Sequence, residues 1–274
     1  MNILESIILG VIQGATEFLP VSSSGHLIII PKLFKISDGG WQFDAFIHLS
    51  TGLAVLTYFW SDWRDMFRNF KKMFKQARVK GKYNILLKNK NSALLIYIML
   101  GSIPVGLIGF LFGDTITLYL RNPTVVIFTL IFYGILMIIV EKKKNRGLRE
   151  TIYFKDALYI GLVQVLSLIP GTSRSGVTIL AAIFRGIKRD EAAKFSFLLA
   201  TPAVFLAGMY SFFKSLPYLN ILDLGNYVIG FISAFFVGIF VIEFLLGYLK
   251  KSTLIPFGLY RIGLAVLVFA FLFF

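Results

Sequence analysis

Six runs of apolar residues in this chain are long enough to cross a bilayer, at about 43 to 60, 92 to 113, 124 to 140, 191 to 213, 226 to 249 and 254 to 273. Four shorter apolar pieces remain, about 2 to 18, 24 to 34, 156 to 169 and 176 to 186, paired across Pro/Ser/Gly turns at Pro20 to Gly25 and Pro170 to Gly176. Short helices broken by such turns predict re-entrant hairpins rather than pairs of crossings. Each half of the chain, 1–141 and 156–274, then reads as one re-entrant hairpin plus three spans in a single all-α polytopic membrane domain. Three crossings are an odd number, so the second half enters upside down relative to the first, which is an inverted-topology repeat.

The two turns also repeat in sequence. Shifted by 151 positions without a gap, Gly10, Gln13, Ser22, Ser24 and Gly25 fall on Gly161, Gln164, Ser173, Ser175 and Gly176, and Thr16 falls on Ser167. These are residues that hydrocarbon rejects, so their recurrence in apolar segments predicts a polar site held inside the membrane.

Composition agrees with a membrane class: 57% of residues are hydrophobic, mean hydropathy is +0.78 and 15% are charged. The net charge of +14 does not point to nucleic acid, because the cations gather in short segments between apolar runs. The segments around 61 to 91, 141 to 155, 185 to 190 and 250 to 251 hold 21 of the 28 Lys and Arg. Lys32, Lys35, Arg121 and Lys214 lie on the opposite side. The asymmetry predicts that the basic segments are cytoplasmic, both termini are extracytoplasmic, and the two turns meet near mid-membrane. The longest hydrophilic loop, Ser61 to Asn91, carries ten basic and two acidic residues and is expected to lie on anionic lipid headgroups. The apolar N-terminal segment has no basic leader or small-residue cleavage site and reads as mature sequence. Cysteine is absent and only His26 and His48 are present, which excludes disulfides and thiolate metal sites and disfavours a histidine-rich metal site.

Helices expected to begin at Ser22, Ser23, Ser24 and Gly25, and at Thr172, Ser173, Arg174, Ser175 and Gly176, would present unpaired N–H groups and positive dipole ends. Facing each other, they would cradle an anion, with Arg174 supplying a fork suited to phosphate oxygens. Ser23 and His26 stand three apart, so the imidazole is expected to orient or deprotonate the hydroxyl. Gln13 and Glu17 share a helical face four apart, and Glu17 beside a phosphate site would act as a base or as a ligand for a divalent cation such as Mg²⁺. Together these groups suit phosphoryl transfer, with Ser23, His26 or a water as nucleophile. Serine and glycine alone would suit close helix packing, but Glu17, His26 and Arg174 have no packing rationale. Asp44 and His48 border the site or lie at the interface, and Lys194, Glu243 and Arg261 are read as buried pairs or snorkelling groups.

At these residues the chain resembles the undecaprenyl-diphosphate phosphatase family, the membrane enzymes associated with bacitracin resistance. The resemblance is carried by Gln13-Gly-Ala-Thr-Glu17-Phe-Leu-Pro-Val-Ser-Ser-Ser-Gly-His26 and by Pro170-Gly-Thr-Ser-Arg-Ser-Gly-Val-Thr178, and extends over the whole chain in span order. It implies hydrolysis of undecaprenyl diphosphate to the monophosphate, recycling the lipid carrier for peptidoglycan synthesis. It implies that Glu17, Ser23, His26 and Arg174 are catalytic, and that Gln13, Ser22, Ser24, Gly25, Gly171, Thr172, Ser173, Ser175, Gly176 and Thr178 bind the diphosphate. Two departures stand out: Gln13 replaces a glutamate, which weakens a two-carboxylate metal site, and Ser24 stands where threonine is common. The expected partners are the prenyl diphosphate and membrane lipid, with a homodimer left open. A transporter or lipid flippase is the alternative, since broken helices meeting mid-membrane also suit alternating access.

Overall fold

The computed structural model describes residues 1–142 and 149–273. The expected basic segment at 141 to 155 therefore lies partly outside the described residues. Among these, twelve α-helices and three short 3₁₀ turns make up the molecule, and no strand is formed.

The first hairpin joins α1 (Ile3–Phe18) to α2 (Ser23–Phe34). A capping box fixes the start of α1: Asn2 accepts from the Glu5 amide at 2.9 Å, and the Glu5 carboxylate accepts from the Asn2 amide at 2.7 Å. Next comes α3 (Gly40–Tyr58), then α4 (Trp60–Lys80) and the single turn α5 (Ile85–Lys88). Two long helices follow, α6 (Lys90–Leu120) and α7 (Pro123–Lys142). The second hairpin is α8 (Phe154–Gln164), a 3₁₀ turn at Val165–Leu168 and α9 (Arg174–Phe184). The chain ends with α10 (Arg189–Ser215), α11 (Leu224–Leu249) and α12 (Ile255–Phe273).

Among the described residues five helices, α6, α7, α10, α11 and α12, are long and apolar enough to cross a membrane. The chain is a polytopic membrane protein. The expected span at about 43 to 60 is α3, which carries Gln42, Asp44, His48, Ser50 and Thr51 and is therefore less apolar. It is packed against α10 and α11 rather than given over to lipid. The expected loop at 61 to 91 is corrected: most of it is α4, separated from α3 only by Phe59. Trp63, Met66 and Ala77 are buried on one face while the cations point away. Averaged along the sequence, the charges hide this helical stripe.

The first helix of each hairpin packs onto a helix of the other half, α1 on α11 and α8 on α6. The crossings close on equivalent glycines. A Cβ on Gly10 would lie 2.4 Å from the Gly230 carbonyl oxygen, and one on Gly161 would lie 2.3 Å from that of Gly101. Such contacts let backbones approach closely where no hydrophobic force drives helices together in lipid. Gly161→Val is expected to lower the melting temperature in detergent, with overpacking costing about 1–3 kcal/mol. Gly113→Ala, where a Cβ meets nothing within 4 Å, should leave it unchanged or raise it.

Candidate active site

Both turns are built the same way. Ser22 and Ser173 take positive φ angles of 79° and 69°, and each accepts a hydrogen bond at its hydroxyl from the amide three residues on, Gly25 at 3.3 Å and Gly176 at 3.2 Å. Serine is a strong N-cap, and here it starts α2 and α9 in a conformation that costs a non-glycine residue free energy. Ser24 Oγ lies 3.3 Å from Ser22 Oγ, and Ser175 Oγ 3.2 Å from Ser173 Oγ.

The equivalent serines then tie one turn to the other. Ser24 Oγ accepts from the Gly171 amide at 3.2 Å, and Ser175 Oγ donates to the Leu19 carbonyl at 3.1 Å. Gly171 needs its φ of 85°, and a Cβ there would sit 2.1 Å from Thr129 Oγ1. The Thr129 hydroxyl donates to the Pro170 carbonyl at 2.9 Å. Thr172 is fully buried in the second turn. Thr178, also buried, donates back to the Arg174 carbonyl at 2.8 Å and pairs with Ser196.

The positions that differ between the turns carry the charge. Arg174 forms an ion pair with Glu17 Oε1 through Nη2, and Ser23 Oγ donates to Glu17 Oε2 at 2.7 Å. Gln13 Nε2 donates to the same Oε2 at 3.2 Å and to Thr51 Oγ1 at 3.4 Å. Glu17, Ser23 and Arg174 therefore converge, as the sequence predicts.

The expected Ser23–His26 hydrogen bond gives way to another arrangement. His26 Nδ1 lies 2.7 Å from the Ser22 carbonyl oxygen, and Nε2 lies 2.7 Å from the Tyr260 hydroxyl. A carbonyl only accepts, so Nδ1 carries a proton, and when the ring is neutral Nε2 accepts from the Tyr260 hydroxyl. Spacing along a helix put His26 beside Ser23, but the first-turn carbonyl claims the ring. The carboxylate of Glu17 takes the place next to Ser23.

Two further residues of the site lie on α12, where no motif marks them. Besides Tyr260, Arg261 is fully buried and donates to four backbone carbonyls: Gly171 at 2.8 Å, Thr129 at 3.2 Å, Pro20 at 3.3 Å and Leu130 at 3.5 Å. Pro20 and Gly171 are equivalent under the 151-residue shift, so one guanidinium grips the same point of both turns. Its permanent charge in a membrane sequence was the signal available. The other two spans' ionisable groups are paired elsewhere, Lys194 with Asp62 at 2.6 Å and Glu243 with the Tyr58 hydroxyl. Asp44 lies 3.5 Å from Arg121.

Glu17 is the expected holder of a divalent cation. Both of its oxygens are engaged by Arg174, Ser23 and Gln13, and among the described residues no group of three or more His, Asp or Glu gathers as a metal cage. Mg²⁺ requires a near-octahedral oxygen shell, so these side chains do not by themselves fit a resident ion.

Residues 6–267 match the family described as Bacitracin resistance protein BacA. The chain belongs to this family. It is 42% identical over 275 residues to the undecaprenyl-diphosphatase of Thermodesulfovibrio yellowstonii, covering 100% of this chain and 98% of that one. It is 38% identical over 273 residues to the undecaprenyl-diphosphatase of Marinobacter nauticus, covering 99% and 100%. The protein of the same name from Enterococcus faecalis is 37% identical over 276 residues, covering 98% and 96%. The doubled turn, with Glu17, Ser23 and Arg174, thus lies within the matched part of a BacA-family chain.

In this BacA-family protein the Arg261 fork should be worth more to the fold than any surface charge. Arg261→Met takes that donor from the Pro20 and Gly171 carbonyls, which lie in turns and not in a helix, and each such group left unsatisfied costs about 1–3 kcal/mol. Thermal unfolding in detergent should show a large fall in melting temperature; an unchanged value would mean that the turns dock without the arginine.

Proposed function

We propose that the protein hydrolyses undecaprenyl diphosphate to undecaprenyl phosphate and inorganic phosphate. This activity would recycle the lipid carrier of peptidoglycan synthesis and confer bacitracin resistance. The observation that carries the reading is the Glu17 carboxylate placed between a hydroxyl nucleophile and an arginine fork, with Ser23 Oγ at 2.7 Å and Arg174 on the other oxygen. The names of the full-length relatives agree with it.

In this mechanism the incoming diphosphate draws the Arg174 fork from Glu17 onto its own oxygens, since both are anions competing for one guanidinium. Losing its counter-charge, Glu17 becomes a stronger base and takes the Ser23 proton. Ser23 Oγ bonds to the terminal phosphorus as the bridging P–O bond breaks, and the monophosphate leaves with the bond electrons and with the proton that Glu17 took from Ser23, which returns Glu17 to its carboxylate. Arg174 and the first-turn amides of α2 and α9 stabilise the equatorial oxygens. Water then cleaves the phosphoserine, its oxygen bonding to phosphorus as the P–Oγ bond breaks and its proton passing through the Glu17 carboxylate to Ser23 Oγ, which releases phosphate and restores the serine. His26 and Tyr260 serve by holding the Ser22 carbonyl and thus the turn that aims Ser23. The expected Mg²⁺ takes no part in these steps, in which Glu17 acts as the base.

The two hairpins are read as re-entrant parts of an inverted-topology repeat in the bacterial cytoplasmic membrane, with both termini and the site opening extracytoplasmic. The 151-residue equivalence of the turns, the paired glycine crossings and the clustering of cations support that placement.

Phosphate release from the C55 diphosphate by the purified protein in detergent tests the reading, since no gradient exists there to drive transport. Ser23→Ala should lose at least about a hundredfold in kcat with its melting temperature kept, the scale of a lost nucleophile or base. Parent-like turnover in that variant would remove the serine step, and absence of release by the parent would remove the activity.

A further inference from the structure

Helix α4 presents two apolar stripes, and only one is used in packing. Trp63 and Met66 face inward, whereas Trp60 is 61% exposed and Phe67, two turns on, is 49% exposed. Cations share the outward stripe: Arg64, Arg68 and Lys71 are spaced at four and three residues and are all exposed. This stripe forms one wall of a groove of about 710 Å³. The facing wall is Met99 of α6 with Pro202, Phe205 and Leu206 of α10, all apolar. The groove is thus an apolar trough with a cationic rim on one side only.

Little within the protein neutralises that rim. Among the described residues Asp65 is the carboxylate that pairs with it, 3.2 Å from Arg68 and 3.9 Å from Arg64, both at solvent-exposed side chains where such pairs are weak. Three cations against one carboxylate leave a net excess of positive charge beside a chain-shaped apolar surface. A soluble anion would gain nothing from the trough, and a neutral lipid nothing from the rim. We infer that the groove binds an anionic membrane phospholipid, with the headgroup phosphate on Arg64, Arg68 and Lys71 and one acyl chain laid against Phe67, Met99 and Phe205. The site is independent of the diphosphate chemistry, since none of these residues contacts Glu17, Ser23 or Arg174 through any hydrogen bond or ion pair among the described residues.

The indoles report it directly. The chain has three tryptophans, so a Trp41→Phe protein retains only Trp60, exposed on the groove wall, and Trp63, which is buried but also borders the groove. In phosphatidylcholine vesicles, chain-brominated phosphatidylglycerol should quench this fluorescence at lower mole fraction than chain-brominated phosphatidylcholine. The expected preference is about fivefold for each uncompensated cation. Adding Arg64→Gln, Arg68→Gln and Lys71→Gln should bring the two lipids level while phosphate release continues at the parent rate. Equal quenching in the Trp41→Phe protein would overturn the site, as would a preference that survives the triple substitution. Displacement of the brominated lipid by prenyl monophosphate at lower mole fraction than by unlabelled phosphatidylglycerol would overturn the phospholipid assignment in favour of that lipid.

Discussion

The site depends on how two broken hairpins satisfy their polar groups where water is scarce. Each turn interrupts a helix and frees backbone carbonyls and amides inside a membrane-class protein, and every one left unpaired there is costly. Arg261 resolves the carbonyl side by donating to Pro20 and Gly171, the same position in both turns, together with Thr129 and Leu130. Ser24 and Ser175 resolve part of the rest by bonding across to the opposite turn. With the turns locked to each other, Arg174 from one reaches Glu17 preceding the other.

The repeat separates scaffold from chemistry. Positions that recur, Ser22 with Ser173, Ser24 with Ser175 and Gly25 with Gly176, make the same caps and contacts in each turn. Positions that differ do the charged work: Ser23 corresponds to Arg174, Glu17 to Leu168 and His26 to Val177. Two copies of one turn would offer two weak anion cradles. Diversified, they offer a hydroxyl from one side and a guanidinium from the other, both aimed at a single carboxylate.

The motifs made the convergence of Glu17, Ser23 and Arg174 legible, because ionisable residues beside a repeated turn in apolar sequence have few structural excuses. The longest spans were legible for the same reason in reverse, through uninterrupted hydrocarbon. The roles of Tyr260 and Arg261 were not, since they lie more than 230 residues from His26 and Pro20 in the chain and act through long-range contacts that leave no periodic trace. Helix α4 is hidden in the sequence because its buried stripe of Trp63, Met66 and Ala77 is diluted by cations on the outer face. The His26 ring was misplaced because residue spacing gives a helical face but not which polar atom the ring will choose. Near a helix start the nearby carbonyl of Ser22 wins.

In the proposed mechanism Glu17 and Arg174 act as one unit, paired in the free enzyme and exchanged when the diphosphate binds. A double-mutant cycle on kcat/KM for prenyl diphosphate hydrolysis, using Glu17→Gln, Arg174→Met and the two combined, measures that coupling directly. Strong non-additivity is expected, with the double variant little worse than the weaker single one and a coupling of at least ~2 kcal/mol. Losses that simply add would mean that the two residues act separately, and would contradict the mechanism.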